Sequence, residues 1–179
     1  MDAIAIEGIT KRFNSVTAVD HISLRVRQGA VFGLLGPNGA GKTTTLRMIM
    51  NILIPDEGSI RVLDQPASDS TQDLIGYLPE ERGLYPRMQV RKLVVFLGAL
   101  KGLTEAEADR RAREWLARFE LADWSEKKLI DLSKGMQQKV QFICAVIHRP
   151  PLVILDEPFA GLDPINAVLV KDIMLELRD

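Results

Sequence analysis

Residues 36–43 read Gly-Pro-Asn-Gly-Ala-Gly-Lys-Thr, and this octet decides the fold. It fits G-x-x-x-x-G-K-[ST] at every specified position. Just before it, Val31 to Leu35 (VFGLL) is a short apolar run of the kind expected for a buried strand. Just after it, Leu46, Ile49, Met50 and Leu53 recur at helical spacing, which predicts a helix running from Lys42 toward Pro55. A strand, a glycine-rich turn and a helix in this order aim successive backbone N–H groups at a polyphosphate, and the helix N-terminus adds its positive dipole end. Lys42 is expected to reach the β- and γ-phosphates, and the Thr43 hydroxyl to join Mg²⁺. Gly36, Pro37, Asn38, Gly39, Ala40, Gly41, Lys42, Thr43 and Thr44 are the expected nucleotide contacts.

Farther along, Leu152-Val-Ile-Leu-Asp156-Glu157 delivers two carboxylates at the end of an apolar strand, the edge where open α/β sheets place ligands. By itself this is an ordinary solvated strand end. Joined to the phosphate loop, it reads as the second half of one site. Asp156 would hold Mg²⁺ through water, and Glu157 would polarise an attacking water.

The rest of the composition sets bounds. The chain has 179 residues, enough for one full-sized domain with its own core. Lys and Arg number 23 against 24 Asp and Glu, for a net charge of −1, so no electrostatic footprint for nucleic acid is present. Hydrophobic residues make up 46%, which excludes a disordered chain. The longest apolar run, Leu93 to Leu100, is far shorter than a membrane span. The start, MDAIAIEGITKRF, lacks the pattern of a signal peptide. A lone cysteine, Cys144, excludes an internal disulfide and fits a reducing compartment. A cytoplasmic location follows.

Local patterns fill in the elements. Ala3 to Glu7 and His21 to Arg27 alternate like strands, and Gly58 to Leu63 and Leu74 to Leu78 are further strand candidates. Val90 to Lys101 reads as a helix closed by Gly102. Thr104 and Glu107 form a capping-box pair opening a second helix, whose apolar stripe is Ala108, Ala112, Trp115, Leu116 and Phe119. A third helix spans Ser133 to His148, ahead of Pro150-Pro151, and a last one follows Pro164. The expected fold is α/β: a P-loop (RecA-like) core with an antiparallel β subdomain and an inserted α-helical subdomain. The expected division is 1–80 for the core with the β subdomain, 81–149 for the helical part, and 150–179 for the return to the core.

Between the two acidic and phosphate motifs lies Leu132-Ser133-Lys134-Gly135-Met136-Gln137-Gln138. With the phosphate loop before it and the Asp156-Glu157 motif after it, this segment resembles the signature sequence of ATP-binding cassette (ABC) ATPases. The resemblance covers almost the whole chain. It implies that Ser133, Gly135, Met136 and Gln137 close over ATP held by a second subunit. Lys134 and Met136 depart from the family's usual Gly and Gln. A Ser that merely caps a helix is the plain reading of Ser133, and it is compatible with the rest. Phe13 stands where the family stacks an aromatic ring on adenine, though a core Phe is the simpler alternative. Gly161-Leu162-Asp163 resembles the D-loop, which crosses the dimer interface. Ile75-Gly-Tyr-Leu-Pro79-Glu80 resembles the Q-loop region with Glu80 in place of Gln, and a carboxylate there can bind Mg²⁺. Glu81 to Met88 resembles the segment that meets the membrane partner in ABC-2-type exporters, including the sodium-efflux branch.

The resemblance further implies a strand after the last helix, followed by a His contacting the γ-phosphate. The chain stops at Asp179, inside that helix, and His21 and His148 stand elsewhere. The chain is therefore expected to be truncated, and to bind ATP while hydrolysing it poorly. The leading expectation is an ATP-binding and ATP-hydrolysing transporter subunit, using ATP and Mg²⁺. It would work as a dimer, most simply a homodimer, beneath separate transmembrane permease subunits at the inner face of the membrane and drive export. The alternatives are a soluble ABC ATPase that acts elsewhere than in transport, and a nucleotide binder that turns over little. Cargo is not readable, because in this family the membrane subunits carry specificity.

Overall fold

The computed structural model describes every residue except Glu81, Arg82 and Asp179. The chain divides into two compact units, one of Met1–Ile75 joined by Arg178, the other of Gly76–Leu177.

The first unit is led by a four-stranded antiparallel sheet. Strands β1 (Asp2–Phe13) and β2 (Val16–Arg27) form a hairpin, followed by helix α1 (Lys42–Ile49), strands β3 (Glu57–Val62) and β4 (Gln65–Pro66), and the single turn α2 (Asp69–Gln72). The strand order is β2-β1-β3-β4. Phe13 pairs with Val16, and Asn14 turns the hairpin in the left-handed region at φ 50°, a conformation Asn tolerates. Both hairpin strands are longer than their alternating segments. Irregularities in the β1–β2 register between Ile6 and Ile9, and between Ile9 and Lys11, carry pairing past the points where the alternation fails. Ile4, Ile6 and Ile9 of β1 are buried with Val19, Val26, Ile60 and Val62, and α1 contributes Met48 and Ile49.

The second unit opens with β5 (Ile75–Leu78), continues through helices α3 (Val90–Leu100), α4 (Glu105–Arg118) and α5 (Lys134–Val146), and returns to β6 (Leu152–Leu155) and α6 (Pro164–Arg178). β5 and β6 are hydrogen-bonded neighbours. The helices pack through the faces their spacing predicts: Val90, Leu93 and Val94; Ala108, Ala112 and Leu116; Val140, Ile143 and Val146, all buried. Phe119 and Phe142 meet with ring centroids 5.7 Å apart. Only half of the expected capping box forms. Thr104 Oγ1 accepts from Glu107 N at 3.3 Å, while the Glu107 carboxylate turns to Arg110 and Arg111. Those guanidinium groups hold Glu107 down to about 2 from its ordinary 4.5, through hydrogen bonds from Arg110 and then Arg111. Arg91 ties α3 to Asp109 of α4 at 2.7 Å and to Glu126 at 3.0 Å. A Cβ at Gly76 would stand 2.1 Å from the Ala145 carbonyl oxygen and 2.7 Å from Pro150 Cγ, so β5 rests directly on the end of α5.

One expected element is absent. Val31–Leu35 is not a strand, and Val31, Phe32 and Leu35 are exposed, Leu35 by 92%. A wholly apolar strand needs partners along its backbone edges. Among the described residues no strand pairs with this segment, so its N–H and C=O groups have no ladder to join.

Candidate functional site

In the first unit the glycine-rich octet forms the turn into α1. Ala40 N donates to Pro37 O at 3.2 Å, and Gly41 is the N-cap of α1, at φ 84°. A Cβ on Gly41 would lie 2.3 Å from the Ala18 carbonyl oxygen, so this position requires glycine for two reasons, its left-handed backbone and the closeness of β2. Gly39 is also left-handed, at φ 80°, but a Cβ there would meet nothing within 4 Å. Lys42 Nζ donates to the carbonyls of Gly36 at 2.8 Å and Pro37 at 2.9 Å. The ammonium thus closes the loop on itself and sits among the residues expected to meet phosphate. Thr45, one turn in, donates from both N and Oγ1 to Gly41 O at 2.8 and 2.9 Å and secures the helix start. Thr43 and Thr44 are partly exposed on the first turn, and Asn38 is exposed in the loop. Phe13 ends β1 with 44% of its surface open, and Lys11 Nζ lies 5.8 Å from its ring centroid. That is not the burial of a core residue.

In the second unit Asp156 N donates to Leu78 O at 2.9 Å, which ties the two strand ends together. Asp156 is buried, and its Oδ2 has no hydrogen-bond partner. A buried carboxylate oxygen left unpartnered is costly unless a cation or a water on a cation completes it. Glu157 follows with an exposed side chain and a left-handed backbone at φ 52°. Pro158 comes next, and a residue preceding proline is pressed toward extended backbone, so this conformation is strained twice over. Glu80 is exposed beyond the end of β5. Among the described residues no three His, Cys, Asp or Glu side chains gather to hold a metal by themselves. Mg²⁺ is commonly held by one or two carboxylates with the remaining places taken by phosphate and water, and Asp156 fits that pattern.

Ser133 caps α5, its Oγ accepting from Met136 N at 3.2 Å. Gln137 donates from Nε2 to Leu132 O at 2.9 Å, and Met136 packs against the core of its unit. A Cβ at Gly135 would stand 3.2 Å from Gly161 O, so the signature-like segment and the Gly161–Asp163 turn are brought together. The Asp163 carboxylate accepts from Asn166 N at 3.0 Å and from Asn166 Nδ2, and these bonds hold it below the usual carboxylate range. Of the segment expected to meet a membrane partner, Glu81 and Arg82 lie outside the described residues. Leu84 and Pro86 line a shallow groove with Leu129, Ile130, Gln137 and Gln141.

Two residues given no expected role belong to the site: Gln138, at the end of the signature-like segment, and Gln141 beyond it. Gln138 donates from Nε2 to Glu157 O at 3.4 Å, and Gln141 donates to Pro79 O at 3.1 Å. The available signal was two glutamines spaced i+3 and i+6 from Gly135 on a helix whose buried side is otherwise apolar apart from Lys139.

Residues 19–160 match the sequence profile of the family described as ABC transporter. The ABC transporter ATP-binding protein YhaQ of Bacillus subtilis is 50% identical over 176 residues, covering 98% of this chain and 59% of its own length. MJ1023 of Methanocaldococcus jannaschii, also described as an ABC transporter ATP-binding protein, is 45% identical over 176 residues, covering 98% of this chain and 64% of its own. The chain spans roughly three-fifths of the length of these relatives. Among solved structures, an ATP-binding subunit of an ABC transporter superposes with a TM-score of 0.88 at 31% identity, covering 98% of this chain and 75% of that one. The ATP-binding cassette MJ0796, solved as a dimer with ADP and Pi, gives 0.89 at 23% identity, covers 98% and 83%, and speaks for the fold alone. Taken with its α/β fold and phosphate loop, the match over residues 19–160 makes this chain a member of the ABC transporter family of ATP-binding proteins.

Proposed function

We propose that the chain binds and hydrolyses Mg-ATP as the nucleotide-binding part of a transporter, and that Lys42, Asp156 and Glu157 carry the chemistry. The observation that carries the reading is the phosphate loop: a left-handed glycine at each of positions 39 and 41, the start of α1, and a lysine ammonium drawn in by loop carbonyls. In this reading the loop amides and Lys42 bind the β- and γ-phosphates, with Thr43 and Thr44 at the first turn. Phe13 offers an open ring face to adenine. When bound, Mg²⁺ would supply charge neutralisation at the phosphoryl group, and Asp156, Thr43 and Glu80 are the residues that would hold it. Glu157, exposed on its strained backbone, orients and deprotonates the attacking water.

Ser133, Gly135, Met136, Gln137 and Asp163 act on the nucleotide of a second ATP-binding subunit, for which one chain bearing both half-sites permits a homodimer. Permease subunits dock by the segment that includes Leu84 and Pro86, which places the chain at the cytoplasmic face of the membrane. Among the described residues no helix is long and apolar enough to cross a membrane. Export rests on the likeness of residues 81–88 to exporters. The relatives' names point in more than one direction, since they include a linearmycin resistance protein and a spermidine/putrescine import protein, each ATP-binding. The test is phosphate release from Mg-ATP against protein concentration, with Lys42→Ala as control. Specific activity that climbs with concentration and disappears in Lys42→Ala is expected. A rate indistinguishable from the variant at every concentration sinks the reading.

A further inference from the structure

Helix α5 presents Gly135, Gln138 and Gln141 at successive i, i+3 positions, so they form one ridge along its surface. Each meets a backbone carbonyl, two of them in the β6–α6 connection and the third just beyond β5. Gly135 lies close against Gly161 O, Gln138 donates to Glu157 O, and Gln141 donates to Pro79 O. Both glutamine side chains lie in buried residues, each 4% exposed. They are therefore poorly placed to serve as surface contacts, and their amides have been taken out of water to make these bonds.

The two carbonyls are not arbitrary. Glu157 O belongs to the residue with the doubly strained backbone, and it also accepts from Ala160 N at 3.1 Å. A left-handed residue ahead of proline persists only where its surroundings over-determine it. The Gln138 amide is one of those determinants. Pro79 O belongs to the peptide group that leads into Glu80, so Gln141 fixes the backbone from which that side chain departs. The strand ends themselves are already tied by Asp156 N to Leu78 O. Sequence distance between Pro79 and Glu157 is long, yet a single helix face grips both.

We propose that Gln138 and Gln141 are positioning residues for the hydrolytic reaction: they hold, from one face of α5, the peptide groups that carry Glu157 and Glu80. Both amides are engaged by backbone carbonyls. Each acts through the direction it gives to a carboxylate, and small misplacements of a reacting group are expensive in rate. Because α5 begins at the Ser133 cap, the helix that would meet a second subunit's nucleotide is the one that sets the backbone at Glu157.

The inference rests on the ATPase reading, and the experiment separates the two. Gln138→Met and Gln141→Met, which keep length and remove the donor, are made in the complete gene product beside wild type and Lys42→Ala. Turnover number, affinity for a fluorescent ATP analogue and the thermal midpoint are measured on each. The expected result is a turnover number reduced about tenfold in each Met variant, as is usual when a partner that orients a working ligand is lost. Nucleotide affinity and midpoint are expected to stay at wild-type values. Wild-type turnover numbers in both variants overturn the inference, and so does a parallel fall in turnover, affinity and midpoint, which marks a packing role alone. Wild type no faster than Lys42→Ala overturns the ATPase reading and this inference with it. Should Gln138→Met not yield folded protein, Gln138→Leu removes the donor with a smaller apolar side chain and is read in the same way.

Discussion

Replacing Gly41 by alanine, and Gly39 by alanine beside it, isolates what the close approach of β2 contributes to the phosphate loop. Both glycines are left-handed, at φ 84° and 80°. An alanine at either carries the same backbone penalty, about 1–2 kcal/mol. The environments differ. At position 39 the new methyl enters open space, whereas at position 41 it would lie 2.3 Å from the Ala18 carbonyl oxygen and 3.1 Å from Val19 Cγ2. Backbone must move to relieve the first contact, and overpacking of this kind costs about 1–3 kcal/mol more. The difference between the variants, in which the φ penalty cancels, is therefore about 1–3 kcal/mol. If nucleotide needs the loop as it stands, that difference appears as roughly five- to 150-fold weaker binding for Gly41→Ala than for Gly39→Ala. Both tryptophans, Trp115 and Trp124, belong to the second unit, so their fluorescence is the wrong reporter. Native-state hydrogen exchange of peptides covering β2 and α1, together with titration of a fluorescent ATP analogue, reads the right place. Equal exchange and equal affinity in the two variants would refute the reasoning, because the closeness of Ala18 would then count for nothing.

Other expectations are briefer. Gly76→Ala sets a methyl against the Ala145 carbonyl at a position that needs no positive φ, so destabilisation of about 1–3 kcal/mol should arise from crowding alone. A urea midpoint followed by tryptophan fluorescence that does not move would disprove it. The Cys144 thiol is pushed up to about 12 by burial, so at pH 8 it should react with iodoacetamide roughly a thousandfold or more slowly than a free thiol until urea opens the fold. Prompt labelling of the native chain counts against this. Glu107 is depressed in the folded state, so its contribution is complete above the ordinary carboxyl range and is lost as pH falls from about 4.5 toward 2. Glu107→Gln should flatten the acid limb of unfolding reported by Trp115 on the same helix, at low salt most visibly. Superimposable acid curves for variant and wild type would be the contrary result.

Elements with strong periodicity and clear caps were legible in the sequence. Thr104 and Ser133 announce α4 and α5, and the apolar stripes of both helices are the buried faces. The glycine-rich octet and its helix were legible too, because the left-handed backbone at positions 39 and 41 calls for glycine. Val31–Leu35 misled for a physical reason: apolarity gives a strand something to bury but not a neighbour to pair with, and pairing is a tertiary matter. The full length of β1 and β2 was hidden by the bulges, which break alternation without ending the ladder. Gln138, at the end of the signature-like segment, and Gln141 beyond it carry no expected role, because a glutamine on a helix is ordinarily a solvated residue. Only the proximity of Glu157 O and Pro79 O, reached across long stretches of chain, gives them a task.

The bond between Asp156 and Leu78 has a further consequence, in the order of events during synthesis. β5 leaves the ribosome with its edge unpaired, and its partner β6 is not made until α3, α4 and α5 have followed. At about 5–20 residues per second that interval is roughly 4–15 s. The three helices, rich in local contacts, can assemble well within it, whereas the strand pair must wait and then close a long loop. A chaperone that shields a short apolar edge has its window there, and pausing of translation before Leu152 should lengthen it.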